Sequence, residues 1–221
     1  MKKRNFPKRI LCLFLLLPLL LLPVSCGESG RSFDEEEVLA AARELLPLAE
    51  ELNEIYYGMG IRPIESEEKK TYLPARTEDL ASFGITNVES LKQKTRNVFS
   101  AGYASLIERT KLSAVYDEGT VAGIARYYQT YETDGEEKKE GAFMVHTSPE
   151  IYLTDKLTYE YSTLMIDRAE GDTVYVTLSV TVENGEGETA EVSLRVGLIE
   201  ESGGWRIDTP TYATYPIYKA D

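Results

Sequence analysis

The chain has 221 residues, with 24 Lys and Arg against 37 Asp and Glu, a net charge of −13. The first 25 residues hold five basic side chains (Lys2, Lys3, Arg4, Lys8, Arg9) and no acid. Residues 26–221 therefore carry 19 basic against 37 acidic groups, or −18. Such a balance excludes a simple nucleic-acid binder, which needs a basic face to neutralise phosphates. One His and two Cys exclude a zinc cluster or a disulfide scaffold.

Residues 1–9, MKKRNFPKR, form a positive segment, and residues 10–22 are wholly apolar. As a helix this apolar run spans about 20 Å, short of the roughly 30 Å of a bilayer core. Residues 1–25 therefore read as an export signal, not a membrane span. Ser25-Cys26-Gly27 follows. A small residue before Cys at the end of an apolar run resembles the lipobox of bacterial lipoproteins, although Pro23 stands where an aliphatic residue is usual. The resemblance implies that Cys26 is diacylated on sulfur and becomes the new N-terminus, which puts the protein outside the cytoplasm on a membrane. The alternative is plain secretion with Cys26 a free thiol or removed. Residues 26–33, small and polar, read as a tether. Residues 34–221 read as one domain.

From Asp34 the pattern is helical. Val38, Ala42, Leu45, Ala49, Leu52 and Tyr56 form one stripe. Asp34 with Glu37 forms a capping-box-like start, Gly58 a C-cap, and Pro47 a kink. Residues 59–76 read as an exposed excursion. A short helix over Glu78–Phe83 ends at Gly84. Thr86 with Glu89 reads as a capping box for a helix carrying Val88, Leu91, Val98 and Phe99. Ser100 starts a further turn with Tyr103, Leu106 and Ile107, and the helical part ends near Thr110.

Beyond Val115 the period becomes two. Strands are expected at Ala122–Tyr131, Ala142–Thr147, Leu157–Arg168, Thr173–Glu183, Ala190–Leu198 and Trp205–Thr209. Turns fall at Asp134-Gly135, Glu170-Gly171-Asp172, Asn184-Gly185 and Gly203-Gly204. Helices first and an antiparallel meander second give an α+β fold, the helices packed on one buried sheet face.

This order, closed by Gly203-Gly204-Trp205-Arg206-Ile207-Asp208, resembles the cystatin-like and nuclear-transport-factor-2-like folds, whose secreted members often end in a similar Gly-Gly-Trp strand. Tyr56-Tyr57-Gly58, Val98-Phe99 with Tyr103, and the Trp205 strand also resemble secreted inhibitors of bacterial cell-wall DL-endopeptidases. The resemblance implies a long curved sheet. It transfers no inhibitory residue.

Chemistry-bearing motifs are sparse. No Walker loop, dinucleotide fingerprint, nucleophile elbow or calcium loop occurs, and nothing calls for a cofactor or metal. His146, the one histidine, has only Asp155 and Asp167 as partners by type, and reads as an exposed or hydrogen-bonded strand-end residue. All fifteen tyrosines follow residue 55. Tyr127 with Tyr131, and Tyr159 with Tyr161, share strand faces and form the candidate binding patch, against cross-strand packing as the plainer reading. The expectation is a membrane-anchored, non-catalytic domain that binds an envelope protein such as a wall hydrolase and regulates or assists it. The alternatives are a small-ligand or enzymatic pocket between helices and sheet, and a structural surface lipoprotein.

Overall fold

A computed structural model describes residues 33–113, 116–117, 120–121, 125–134, 137–149, 151, 153–201 and 203–213. The export signal, Cys26 and the tether as far as residue 32 lie outside them. The chain divides into units Met1–Gly30 and Arg31–Asp221, and every described residue belongs to the second.

The long first helix, α1 (Glu35–Tyr57), starts where Asp34 accepts hydrogen bonds from the Glu36 and Glu37 amides. The expected capping box is not closed, because the Glu37 carboxylate instead takes the Trp205 indole N–H at 3.3 Å. The helix runs unbroken through Pro47. Its predicted stripe is buried, with Leu46, Asn53 and Ile55 added to it. Gly58 does stand at the C-cap, but in extended rather than left-handed geometry.

The reason is a different cap. The Arg126 guanidinium, 5 % exposed, donates to the carbonyls of Tyr56 (3.2 Å), Gly58 (2.5 Å) and Met59 (3.3 Å) and to the Tyr127 hydroxyl (2.9 Å). That hydroxyl in turn donates to the Ile55 carbonyl at 2.7 Å and accepts from the Ile61 amide. A cation thus sits on the helix end where carbonyls lack intrahelical donors. The left-handed residue comes two places later, at Gly60 (φ +50°), where a Cβ would lie 2.6 Å from the Ile55 carbonyl oxygen.

Three short helices follow one strand. β1 (Tyr72–Pro74) precedes α2 (Thr77–Ser82), α3 (Val88–Val98) and α4 (Ala101–Ile107), the last running into a π-helical turn at Glu108–Leu112. The α3 cap is Asn87 with Ser90, not Thr86 with Glu89: Asn87 accepts the Ser90 amide at 2.7 Å, and the Ser90 hydroxyl accepts the Asn87 amide at 3.1 Å. Ser100 caps α4 as expected, taking the Tyr103 amide.

The strands are β2 (Tyr116–Asp117), β3 (Thr120–Val121), β4 (Tyr127–Asp134), β5 (Glu137–His146), β6 (Lys156–Glu170), β7 (Thr173–Glu183), β8 (Thr189–Glu201) and β9 (Gly204–Ile207). The fold is α+β with antiparallel pairing, but the strands do not form one sheet. β1-β5-β4 make one, β6-β7-β8-β9 a second, and β2-β3 pair separately. The β1–β5 pairing runs one step further, with the Thr147 amide bonding the Thr71 carbonyl, and the chain leaves the first sheet at Ser148, whose amide bonds the His146 ring. Pro149 then follows, and it has no N–H to extend a ladder. The supposed excursion at 59–76 contributes β1 and buries Ile61, Leu73 and Ala75.

The second sheet follows its pattern closely. Val174, Val176, Leu178, Val180 and Val182 are all buried, and β7 pairs with β8 without a slip from Thr173–Ile199 to Glu183–Thr189. Full burial of each such side chain stabilises the fold by about 1.5–3 kcal/mol. Trp205 and Ile207 point inward from β9, and Phe99 bridges Ile207, tying α3 to the sheet edge. Helix α1 packs across β6, β7 and β9.

Because Arg126 holds three backbone carbonyls, Arg126→Met should lower stability by about 3 kcal/mol, and Tyr127→Phe by about 1–2 kcal/mol. Urea denaturation of both variants measures this. Losses under about 0.5 kcal/mol would show that this cap is dispensable.

Candidate functional site

Helix periodicity places Glu50, Asn53 and Glu54 on one flank of α1, three and four residues apart. That flank faces β6, whose alternation turns Leu157 and Tyr159 toward it. Between them lies a cleft of about 300 Å³, lined also by Leu153, Asp155 and Lys156. The Leu153 amide donates to the Tyr57 carbonyl at 3.0 Å and so fixes the 153–155 segment to the helix end. Fully buried Thr211 closes the assembly, its carbonyl taking the Tyr159 hydroxyl and its hydroxyl the Asn53 amide, each at 2.8 Å.

Most polar groups around the cleft are engaged. Glu54 accepts the Gly60 amide at 3.1 Å. Lys156 pairs with Glu183 of β7 at 3.3 Å. Glu50 differs, because its Oε1 is buried and has no hydrogen-bond partner. Burial pushes its carboxyl up to about 7. The Tyr159 phenol is also raised above its ordinary range, by burial first and then by the charge of Glu50. A second orphan, the Tyr161 hydroxyl, lies two residues along the same strand, and its ring stacks on Tyr159 (centroids 6.2 Å, 16°).

The four predicted tyrosines are not one patch. Tyr127 is fully buried, its hydroxyl spent on the α1 cap, so its place in a binding surface is corrected. Tyr131 is 51 % exposed, opposite Glu140 beyond an irregularity at Gln129–Tyr131. Both belong to the first sheet. Of the four only Tyr159 lines the cleft, in the second sheet, with Tyr161 stacked on it. Elsewhere tyrosines do pack across strands: Tyr72 meets Tyr128 and His146 edge-on at 4.8 and 5.1 Å.

His146 accepts the Ser148 amide on Nδ1 at 3.1 Å. It borders an open hollow with Lys69 and Lys70. Neither proposed partner serves it, since Asp167 pairs with Arg195 at 2.8 Å and Asp155 lines the Glu50 cleft. A third hollow, about 130 Å³, lies beside Trp205 and holds Asp34 and Glu37, both already engaged at the α1 start. The Asn184–Glu188 stretch is a hairpin loop in which Asn184 accepts the amides of Glu186 and Glu188.

Sequence reasoning overlooked Glu50 and Arg126. Glu50 carried a faint signal, lying beside the buried stripe at Leu46 and Asn53. Arg126 carried none. Comparisons with protein-family models, with characterised proteins and with solved structures found no match. Among the described residues, no group of three or more His, Cys, Asp or Glu is placed to hold a metal ion, and no helix is long and apolar enough to cross a membrane.

Glu50 gives stability a defined pH dependence. Below about pH 4.5 the carboxyl is neutral both folded and unfolded, so burial costs nothing extra. Between there and about pH 7 the unfolded chain ionises first, and this group's contribution is lost progressively. Glu50→Gln should therefore match the native protein in thermal midpoint near pH 4 and exceed it above pH 7, with the gap opening between. A constant offset across that range would contradict the burial of the charge.

Proposed function

We propose that this chain is a lipid-anchored, extracytoplasmic binding domain of cystatin-like type. It acts without catalysis, regulates or assists an envelope protein such as a cell-wall hydrolase, and makes its contact at the α1–β6 cleft. The anchor rests on the apolar run that ends in Ser25-Cys26, and the fold type on helices that precede a meander closed by the Gly203-Gly204-Trp205 strand. The net charge of −18 after residue 25 favours a basic partner, drawn in by long-range attraction that salt weakens.

The observation that carries the reading is the α1–β6 cleft itself, about 300 Å³, walled by Leu157 and the Tyr159 ring and bordered by Glu50. A concave, partly aromatic cleft of a few hundred cubic ångströms with a carboxyl at its border is the kind of surface that takes up a partner's side chain. The same raised carboxyl also suits a general acid, which keeps an enzymatic pocket as the second reading.

Affinity capture from envelope extract tests the first reading, using full-length protein and Leu157→Trp, whose larger ring fills the cleft. Native bait should recover one basic protein at low salt, lose it at high salt, and lose it with Leu157→Trp. Equal recovery by both baits, or none by either, contradicts it.

A further inference from the structure

We infer that the open hollow beside His146 binds a phosphate group, held by the ammonium groups of Lys69 and Lys70 and by the imidazole N–H. The hollow measures about 510 Å³ and lies where β1 meets β5 in the first sheet. It shares no residue with the α1–β6 cleft, so the inference does not rest on the role of that cleft.

Strand register brings the donors together. β1 pairs Tyr72 with His146, so the residues before β1 run beside those after β5. Thr147 fastens the two stretches, its amide donating to the Thr71 carbonyl and its hydroxyl to the Lys70 carbonyl, each at 2.9 Å. The Lys70 amide donates to the Glu68 carbonyl, also at 2.9 Å, which fixes the backbone that carries both lysines. On the other wall the Ser148 amide donates to His146 Nδ1 at 3.1 Å. A neutral imidazole that accepts on one nitrogen carries its proton on the other, so Nε2 is a donor. The Tyr72 ring stands edge-on to the imidazole at 5.1 Å and sets its plane.

Charge selects an anion. In the α1–β6 cleft and in the hollow beside Trp205 the acids outnumber the bases. Here two lysines face one acid, Glu68, in a domain that is otherwise strongly acidic. Lys69 forms no ion pair with a described residue. Lys70 pairs with Glu68, but both side chains are more than half exposed. Such a pair contributes little, and an incoming anion displaces it.

Geometry then selects phosphate over carboxylate. A planar carboxylate is best gripped by the arginine fork, and no arginine is among the described residues that line the hollow. Lysines act as separate point charges and hold phosphate in that way. Two ammonium groups and a ring N–H, with the Ser148 hydroxyl beside them, suit a tetrahedral group that presents several oxygens.

A soluble phosphate ester and a phospholipid headgroup share this group. The single histidine supplies the readout, since its ring gives the one imidazole signal of the chain. Full-length protein without a histidine tag, in non-ionic detergent, is titrated with glycerol 3-phosphate and with dihexanoyl phosphatidic acid, and the ring C–H shifts are followed by NMR. At about pH 7.5 a phosphate monoester carries close to two charges. A saturable shift is expected, half complete at or below about 1 mM ligand. Lys69→Gln with Lys70→Gln should weaken it at least roughly tenfold. Both lysines are exposed, so this variant keeps its fold, which circular dichroism checks. Glycerol and propionate, at equal ionic strength, should leave the ring signal in place. If the two phosphates bind alike, the phosphate group alone is recognised; if only the lipid binds, the source is a membrane headgroup. No saturable shift with either phosphate, an equal response to glycerol or propionate, or undiminished affinity in the double variant overturns the inference.

Discussion

A single buried arginine sets how the domain is put together. Arg126 lies just before β4, and its guanidinium closes the C-terminus of α1, so the strand and the helix end are fixed to each other by three carbonyls and a shared tyrosine hydroxyl. A buried cation without such acceptors would be costly, and here the helix end supplies them. Gly60 makes the turn that brings Ile61 under the Tyr127 hydroxyl, and the segment beyond leads into β1 of the same sheet. The first sheet is thus attached through the helix end. The second packs along the helix side, where Leu45, Ala49 and Leu52 are buried.

The cleft follows from that arrangement. With α1 held at its end and laid across β6, the flank bearing Glu50, Asn53 and Glu54 meets the inward residues of the edge strand. Thr211 and Leu153 hold the two sides together by hydrogen bonds to Asn53, Tyr159 and Tyr57. Every polar neighbour with a fixed structural task has its partner. Glu50 does not, and keeping it there weakens the fold above neutral pH. A glutamine or a small apolar residue would avoid that cost.

Where burial follows a strict period, the sequence was readable. The β7 alternation from Thr173 to Glu183 matched residue for residue, since one slip would turn five core side chains to solvent. The α1 stripe and the Gly203-Gly204 hairpin were legible for the same kind of reason. What escaped depends on contacts distant in sequence. β1 has three residues, too few to show a period, and is recruited by β5. The break into two sheets turns on Ser148, whose amide bonds back to the His146 ring, and on Pro149, which has no N–H to offer. Tyr127 looked like surface because its neighbours Tyr128 and Tyr131 are polar-tipped too, but its hydroxyl belongs to a helix end 72 residues earlier. Of the candidate site, Tyr159 was visible on the strand pattern, and Glu50 was hidden among the many acids of α1.

The most direct test of this account is the ionisation of Glu50 itself. Carboxyl ¹³C shifts followed by NMR, with Glu50→Gln to assign the resonance, report it without reference to any partner. Burial predicts a midpoint at about 7 in the free protein. A midpoint near 4.5 in the free protein would mean that the carboxylate is solvated, and would contradict its burial between α1 and β6.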